Sequence, residues 1–114
     1  MKKENRIKKN EEFKEIIAKK NYITNSSFII YFNPKAQDKC RVGISVSKKN
    51  GNAVVRNKIK RQVREMVHSN IDFDTCPYDY VIIIRKDYLN NNYINNNTLM
   101  EMAIKKSYNK RVRS

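Results

Sequence analysis

Three cations recur at one-turn spacing in the middle of the chain: Arg56, Lys60 and Arg64. At about 100° per residue they form a row along a helix, with Asn57 and Arg61 beside it. The chemistry this offers is phosphate recognition, because Arg presents a planar fork of donors and Lys a compact point charge. Just upstream, Lys48 and Lys49 flank a turn at Gly51-Asn52. That turn presents the N-terminus of the helix, whose free N–H groups suit a phosphate. A face this basic repels itself unless a polyanion lies alongside. A solvated basic helix with no partner is the plainer alternative.

A second candidate surface pairs Phe13 with Tyr31. Both residues could serve the core. If the helix carrying Phe13 packs on the strand carrying Tyr31, however, the two rings edge a groove in which unpaired bases can stack. Catalytic side-chain chemistry finds no matching pattern. The acids are scattered among lysines, Asp72 and Asp74 lie in a loop without partners, and His68 stands alone at a helix end. Cys40 and Cys76 have no CxxC spacing and are too few for a zinc site, so neither a catalytic nor a metal-ligating residue is assigned. They read as reduced thiols in a cytosolic protein, with a disulfide left open.

The elements that must position these residues follow from periodicity. Residues 1–9 are a basic, extended lead-in. Asn10 is placed to cap a short helix with Phe13, Ile16 and Ile17 on one face, Glu11 and Glu12 in its first turn, and Lys19 and Lys20 in its last. Tyr22-Ile23-Thr24 makes a short strand. Phe28–Phe32 is a firmer one, with Phe28, Ile30 and Phe32 on one side and Ile29 and Tyr31 on the other. Lys35–Lys39 reads as a hairpin loop into a strand over 41–47. The basic helix follows, its core arc made by Val55, Ile59, Val63, Met66 and Val67. After a loop, Tyr80–Ile84 is a buried strand, parallel to 41–47 and reached by a crossover whose default hand is right. The Asn-rich run 90–97 reads as a loop without function. Thr98 with Glu101 suggests a capping box for a last helix, with Leu99, Met102 and Ala103 on its core face, before a tail carrying Lys110, Arg111 and Arg113.

Composition agrees with the local reading. The 114 residues suit one domain, 1–114, with one modest core. The net charge of +14 is spread over the whole chain and makes nucleic acid the first partner to consider. The N-terminus shows no signal peptide and the longest apolar run is far short of a membrane span, so the expectation is a soluble, cytoplasmic protein with no membrane role.

The residues resemble a known family, the protein subunit of bacterial ribonuclease P. The resemblance rests on Ser45-Val-Ser-Lys-Lys49, Gly51-Asn-Ala-Val54 and Arg56-Asn-Lys-Ile-Lys-Arg-Gln-Val-Arg64, supported by Asn5–Phe13 and Asp79–Arg85. It implies an α+β fold, α-β-β-β-α-β-α, with a central mixed sheet and a left-handed β-α-β crossover in place of the default. It also implies a catalytic RNA subunit and a precursor tRNA as partners, removal of the tRNA 5′ leader, and Mg²⁺ held mainly by RNA and substrate. No obligate protein partner is implied. Residue by residue, Lys48, Lys49, Arg56, Asn57, Lys58, Lys60, Arg61 and Arg64 match the RNA-binding motif, and Phe13 and Tyr31 match aromatic positions of the leader cleft. Lys58 stands where the family often has Arg, which keeps the charge and loses the fork. Ile17 stands where an aromatic is common.

Other classes make different predictions. A general RNA-binding or ribosome-associated protein would not prefer leader-bearing tRNA. A stand-alone metal-dependent nuclease would cleave without RNA and needs a carboxylate cluster. A DNA-binding module would favour duplex DNA over structured RNA.

Overall fold

The computed structural model describes residues 1–110, so Arg111 and Arg113 of the expected basic tail lie outside the described residues. Its elements run α1 (Asn10–Ala18), β1 (Tyr22–Thr24), β2 (Phe28–Pro34), β3 (Val42–Ser45), α2 (Ala53–Asn70), β4 (Tyr78–Ile84) and α3 (Tyr93–Asn109). That is the expected α-β-β-β-α-β-α order. The four strands form one mixed sheet in the order β1-β2-β4-β3, with β3 and β4 parallel and the other neighbours antiparallel.

The position of β4 corrects the hairpin reading. β2 and β3 are not paired to each other, because β4 lies between them. Tyr80, Val81, Ile82 and Ile84 are all buried, so this strand needs neighbours on both edges and cover on both faces. The segment after β2 is held instead by Lys35 N–H donating to Pro77 O (2.9 Å) and Ala36 N–H to Asp79 Oδ2 (3.2 Å).

Cross-strand register separates the two faces. Ile23, Ile30, Ile82 and Ile44 pair in a row on the side covered by α2 and α3, where Val63, Met66, Val67 and Met100 complete the main core. The adjacent row, Tyr22, Tyr31, Val81 and Gly43, lies on the opposite side. There Ile7, Ile16 and Val81 form a smaller core with Phe13, Ile17, Tyr31 and Ile83 packed against it. Both faces of β2 are therefore used, as its two-sided apolar pattern requires.

The lead-in does more than extend. After a 3-10 turn at Lys3–Asn5, Arg6 bridges Val42 in parallel and Ile7 N–H donates to Val42 O (3.1 Å), covering the outer edge of β3. Asn10 is the first helical residue of α1 and not its cap; Lys9 holds the cap position without a side-chain bond. Cys40 and Cys76 are free and buried. The neighbouring Cys76 thiol together with burial pushes the Cys40 thiol up.

The Asn-rich run is not a loop. α3 starts at Tyr93, with Asn92 Oδ1 accepting from Asn95 N–H (2.8 Å). Thr98 is helical and donates to Ile94 O, so the expected capping box does not form. Asn96 is buried, accepting from Ser27 Oγ (2.6 Å) and donating to Tyr88 O (3.0 Å). These bonds tie α3 to the turn before β2 and to the 3-10 turn Lys86–Asn90 that follows β4. Asn96→Ala removes both bonds and leaves Ser27 Oγ and Tyr88 O with only their weaker contacts to Asn91, at 3.1 and 3.3 Å, and is expected to cost about 1–2 kcal/mol in chemical denaturation. A loss below about 0.5 kcal/mol, the ordinary range for surface changes, would contradict this role.

Candidate nucleic-acid interface

The placement of α1 begins with a buried charge. Arg41, next to the start of β3, is 7% exposed and meets Glu12 of α1 at 2.6 Å and Asp79 of β4 at 3.4 Å. Asp79 also accepts from the Arg41 backbone N–H (3.1 Å). Burial disfavours the Arg41 charge, but the hydrogen bond it donates to Glu12 and the field of Asp79 outweigh it and raise its pKa. The network draws the first turn of α1 over the β3–β4 end of the sheet.

That placement explains Gly43. A Cβ there would lie 2.4 Å from Phe13 Cζ, so the ring of Phe13 occupies the space above the glycine. The glycine is required by close approach, its backbone being ordinary strand. Phe13 and Ile17 of α1 and Ile44 and Val46 at the β3 edge then line an open groove of about 540 Å³. Lys8 and Lys14 flank it, and Lys60 of α2 reaches its rim. Tyr31 is half-buried on the same sheet face, two strands away, and packs in the same small core as Phe13 without lining this groove.

The basic helix is built as its sequence requires. Ser47 Oγ accepts from Lys49 N–H, and a 3-10 turn over Lys48–Asn50 leads to Gly51 at φ 132°, a conformation that favours glycine. Asn50 is buried and anchors this turn by donating to Ile84 O (3.2 Å). Asn52 Oδ1 caps Val55 N–H, which takes one first-turn donor and leaves those of Ala53 and Val54 at the open end, near exposed Lys48 and Lys49. Ile59, Val63, Met66 and Val67 are buried, and Asn57, Lys58, Arg61 and Arg64 are exposed. Among the described residues none of the interface cations forms an ion pair. Arg56 is half-buried, with an enclosed Nε that meets no acceptor.

The row seen in the sequence is divided in space. Lys60 borders the Phe13 groove, whereas Arg61 and Arg64 line a second recess with Glu65, His68 and Tyr93. His68 is exposed in the last turn of α2, and Asp72 Oδ1 caps the turn at Asp74. Among the described residues no three His, Cys, Asp or Glu side chains converge on a metal-binding point, and no helix is long and apolar enough to cross a membrane. Sequence reasoning missed Arg41 and Gly43. Only Gly43 carried a local signal, a glycine inside a strand pattern.

Comparison with known proteins gives this arrangement a family. A family model described as Ribonuclease P matches residues 1–108. The chain belongs to the ribonuclease P protein family. It is 47% identical over 106 residues to the ribonuclease P protein component of Mycoplasma mycoides, covering 92% of this chain and 94% of that one. It is also 47% identical over 97 residues to that of Mesoplasma florum, covering 84% and 88%. Among solved structures, a mutant of the Staphylococcus aureus RNase P protein superposes with TM-score 0.83 at 35% identity, covering 93% of this chain and 90% of that chain. The Thermotoga maritima RNase P protein superposes at 0.70 and 28% identity, covering 85% and 96%. As a ribonuclease P protein component, the chain belongs to a tRNA-processing endonuclease and has ribonuclease P RNA as its partner.

Gly43→Ala tests the packing that shapes the groove. The added methyl must push the Phe13 ring aside, with an expected cost of about 1–2 kcal/mol and large shifts of the Phe13 ring resonances in NMR spectra of the folded protein. Unmoved resonances would show that the ring does not sit over Gly43.

Proposed function

We propose that this protein binds the catalytic RNA through the basic side of α2 and grips the single-stranded 5′ leader of precursor tRNA between α1 and the sheet. The RNA-binding residues in this reading are Lys48, Lys49, Arg56, Asn57, Lys58, Lys60, Arg61 and Arg64. Phe13 and Tyr31 hold the leader. The observation that carries the reading is the groove in which Phe13 and Ile17 face Lys60 of α2. That groove offers the Phe13 ring for a base and Lys8, Lys14 and Lys60 for phosphates.

The physical role is to bring two polyanions together. Unpaired lysines and arginines displace condensed counterions from RNA, and the free energy gained is strongly salt-dependent. Aromatic faces add stacking that does not depend on base identity. Ile17 contributes apolar contact only, which leaves Phe13 as the stacking ring of the α1 side. Endonucleolytic cleavage is assigned to the RNA subunit, with Mg²⁺ held by RNA and substrate. Among the described residues the acids do not suit a resident Mg²⁺: the recess that gathers Glu4, Asp38, Asp72 and Asp74 also contains Lys2 and Lys39, and Lys39 already pairs with Glu4 at 2.6 Å. In this reading the protein works in the cytoplasm, without an obligate protein partner.

Two double variants separate the two surfaces. Arg61→Ala with Arg64→Ala is expected to weaken binding of the RNA subunit about tenfold or more and to flatten its salt dependence. Phe13→Ala with Tyr31→Ala is expected to leave RNA-subunit binding unchanged. It should reduce the holoenzyme's preference for precursor over mature tRNA by about tenfold, the scale of lost base stacking. Unchanged RNA-subunit affinity in the first variant would overturn the helix assignment. An unchanged precursor preference in the second would favour a general RNA-binding role.

A further inference from the structure

The aromatic strip does not end at Tyr31. Tyr22 of β1 pairs directly with Tyr31 of β2, so both side chains leave the sheet on the same face. Their ring centroids are 5.5 Å apart at a 49° tilt. Tyr22 is 42% exposed and belongs to neither hydrophobic cluster. β1 is the sheet edge opposite β3, so Phe13 over Gly43, then Tyr31, then Tyr22 mark one route across the sheet. Three inter-strand steps make that route about 14 Å long.

The far end of the route is cationic. Tyr22 lines an open groove of about 680 Å³ with Lys20, Thr24, Lys106, Asn109 and Lys110, and no acid is among its lining residues. Lys110 Nζ sits 5.4 Å from the Tyr22 ring centroid and donates to Tyr22 O at 2.6 Å. An aromatic face beside three lysines is the combination that holds single-stranded nucleic acid. Duplex RNA would be met by cations without an exposed ring.

We propose that Tyr22, with Lys106 and Lys110, is a second leader-binding station, taking leader nucleotides farther from the cleavage site than those held by Phe13 and Tyr31. This rests on the leader reading given above. The base stacks on the Tyr22 ring as the Lys110 ammonium moves from it to the adjoining phosphate. That exchange is favourable because an exposed cation–π contact is weaker than a base stack and the ammonium gains a formal negative partner. Tyr22 thus returns to this chain some of the stacking that Ile17 does not provide. The alternative use of these lysines is to blunt the open edge of β1 against pairing with another chain. That role predicts a change in self-association and none in leader affinity.

The test uses holoenzyme reconstituted from this protein and ribonuclease P RNA, with mature tRNA and precursors carrying leaders of about 4 and about 12 nucleotides. Tyr22→Ala is expected to weaken the long-leader precursor about tenfold and to leave the short-leader precursor and mature tRNA unchanged. Tyr22→Phe keeps the ring and should retain long-leader affinity. Lys106→Gln with Lys110→Gln should flatten the salt dependence for the long leader only. Equal losses on all three substrates, no loss on any, or a loss in Tyr22→Phe as large as in Tyr22→Ala would each overturn the proposal. If the unaltered holoenzyme failed to distinguish precursor from mature tRNA, the leader reading itself would fall. If it distinguishes them and Tyr22→Ala changes nothing, only the second station is lost.

Discussion

A buried arginine sets the geometry on which the rest depends. Arg41 bridges Glu12 on the first helix and Asp79 on the central strand, almost out of water. A charge in that position is tolerable only while both carboxylates stay in place, since removing one partner of a buried pair costs about 3–5 kcal/mol. The requirement fixes where α1 crosses the sheet. With α1 fixed, Phe13 falls over Gly43, and the groove opens between that ring and the β3 edge toward Lys60. The shape of that groove follows from a polar contact inside the fold.

The sheet separates two jobs by face. The Ile23-Ile30-Ile82-Ile44 row and the helices behind it supply the main core. The neighbouring row, one residue out of phase, supplies tyrosines, a valine and a glycine to the side that meets α1. A one-residue register slip would exchange the two sets, which is why β2 and β4 must pair with little tolerance. Helix α2 divides its surface likewise, with an apolar arc in the core and cations outside. A net charge of +14 on so small a domain works against compactness, and a polyanionic partner relieves that repulsion as it binds.

Much of this was legible from residue patterns, and the misreadings have specific causes. Helix α2 is announced by a turn at Gly51-Asn52 and a long apolar arc, both local signals. Phe13 and Tyr31 can each be assigned a face from local periodicity, but that the groove is lined by Phe13 with Ile17 and not by Tyr31 depends on the order of strands in the sheet. The pairing of β2 was misjudged because neighbours in a sheet are a global choice, decided by the need of β4 for partners on both edges. The start of α3 was misjudged because asparagines usually mark loops. Here Asn92 caps the helix and Asn96 gains two buried partners that only the tertiary structure provides. Gly43 owes its role to Phe13 of α1, and the Tyr22–Tyr31 ring contact rests on cross-strand pairing, neither of which a local window contains.

The central claim is that this chain acts by holding RNA for an RNA catalyst. It is tested most directly by precursor-tRNA cleavage at low Mg²⁺ by ribonuclease P RNA, with and without the protein. The account predicts cleavage at the mature 5′ end only when protein and RNA are both present. Cleavage by the protein alone, or an RNA reaction indifferent to the bound protein, would contradict it.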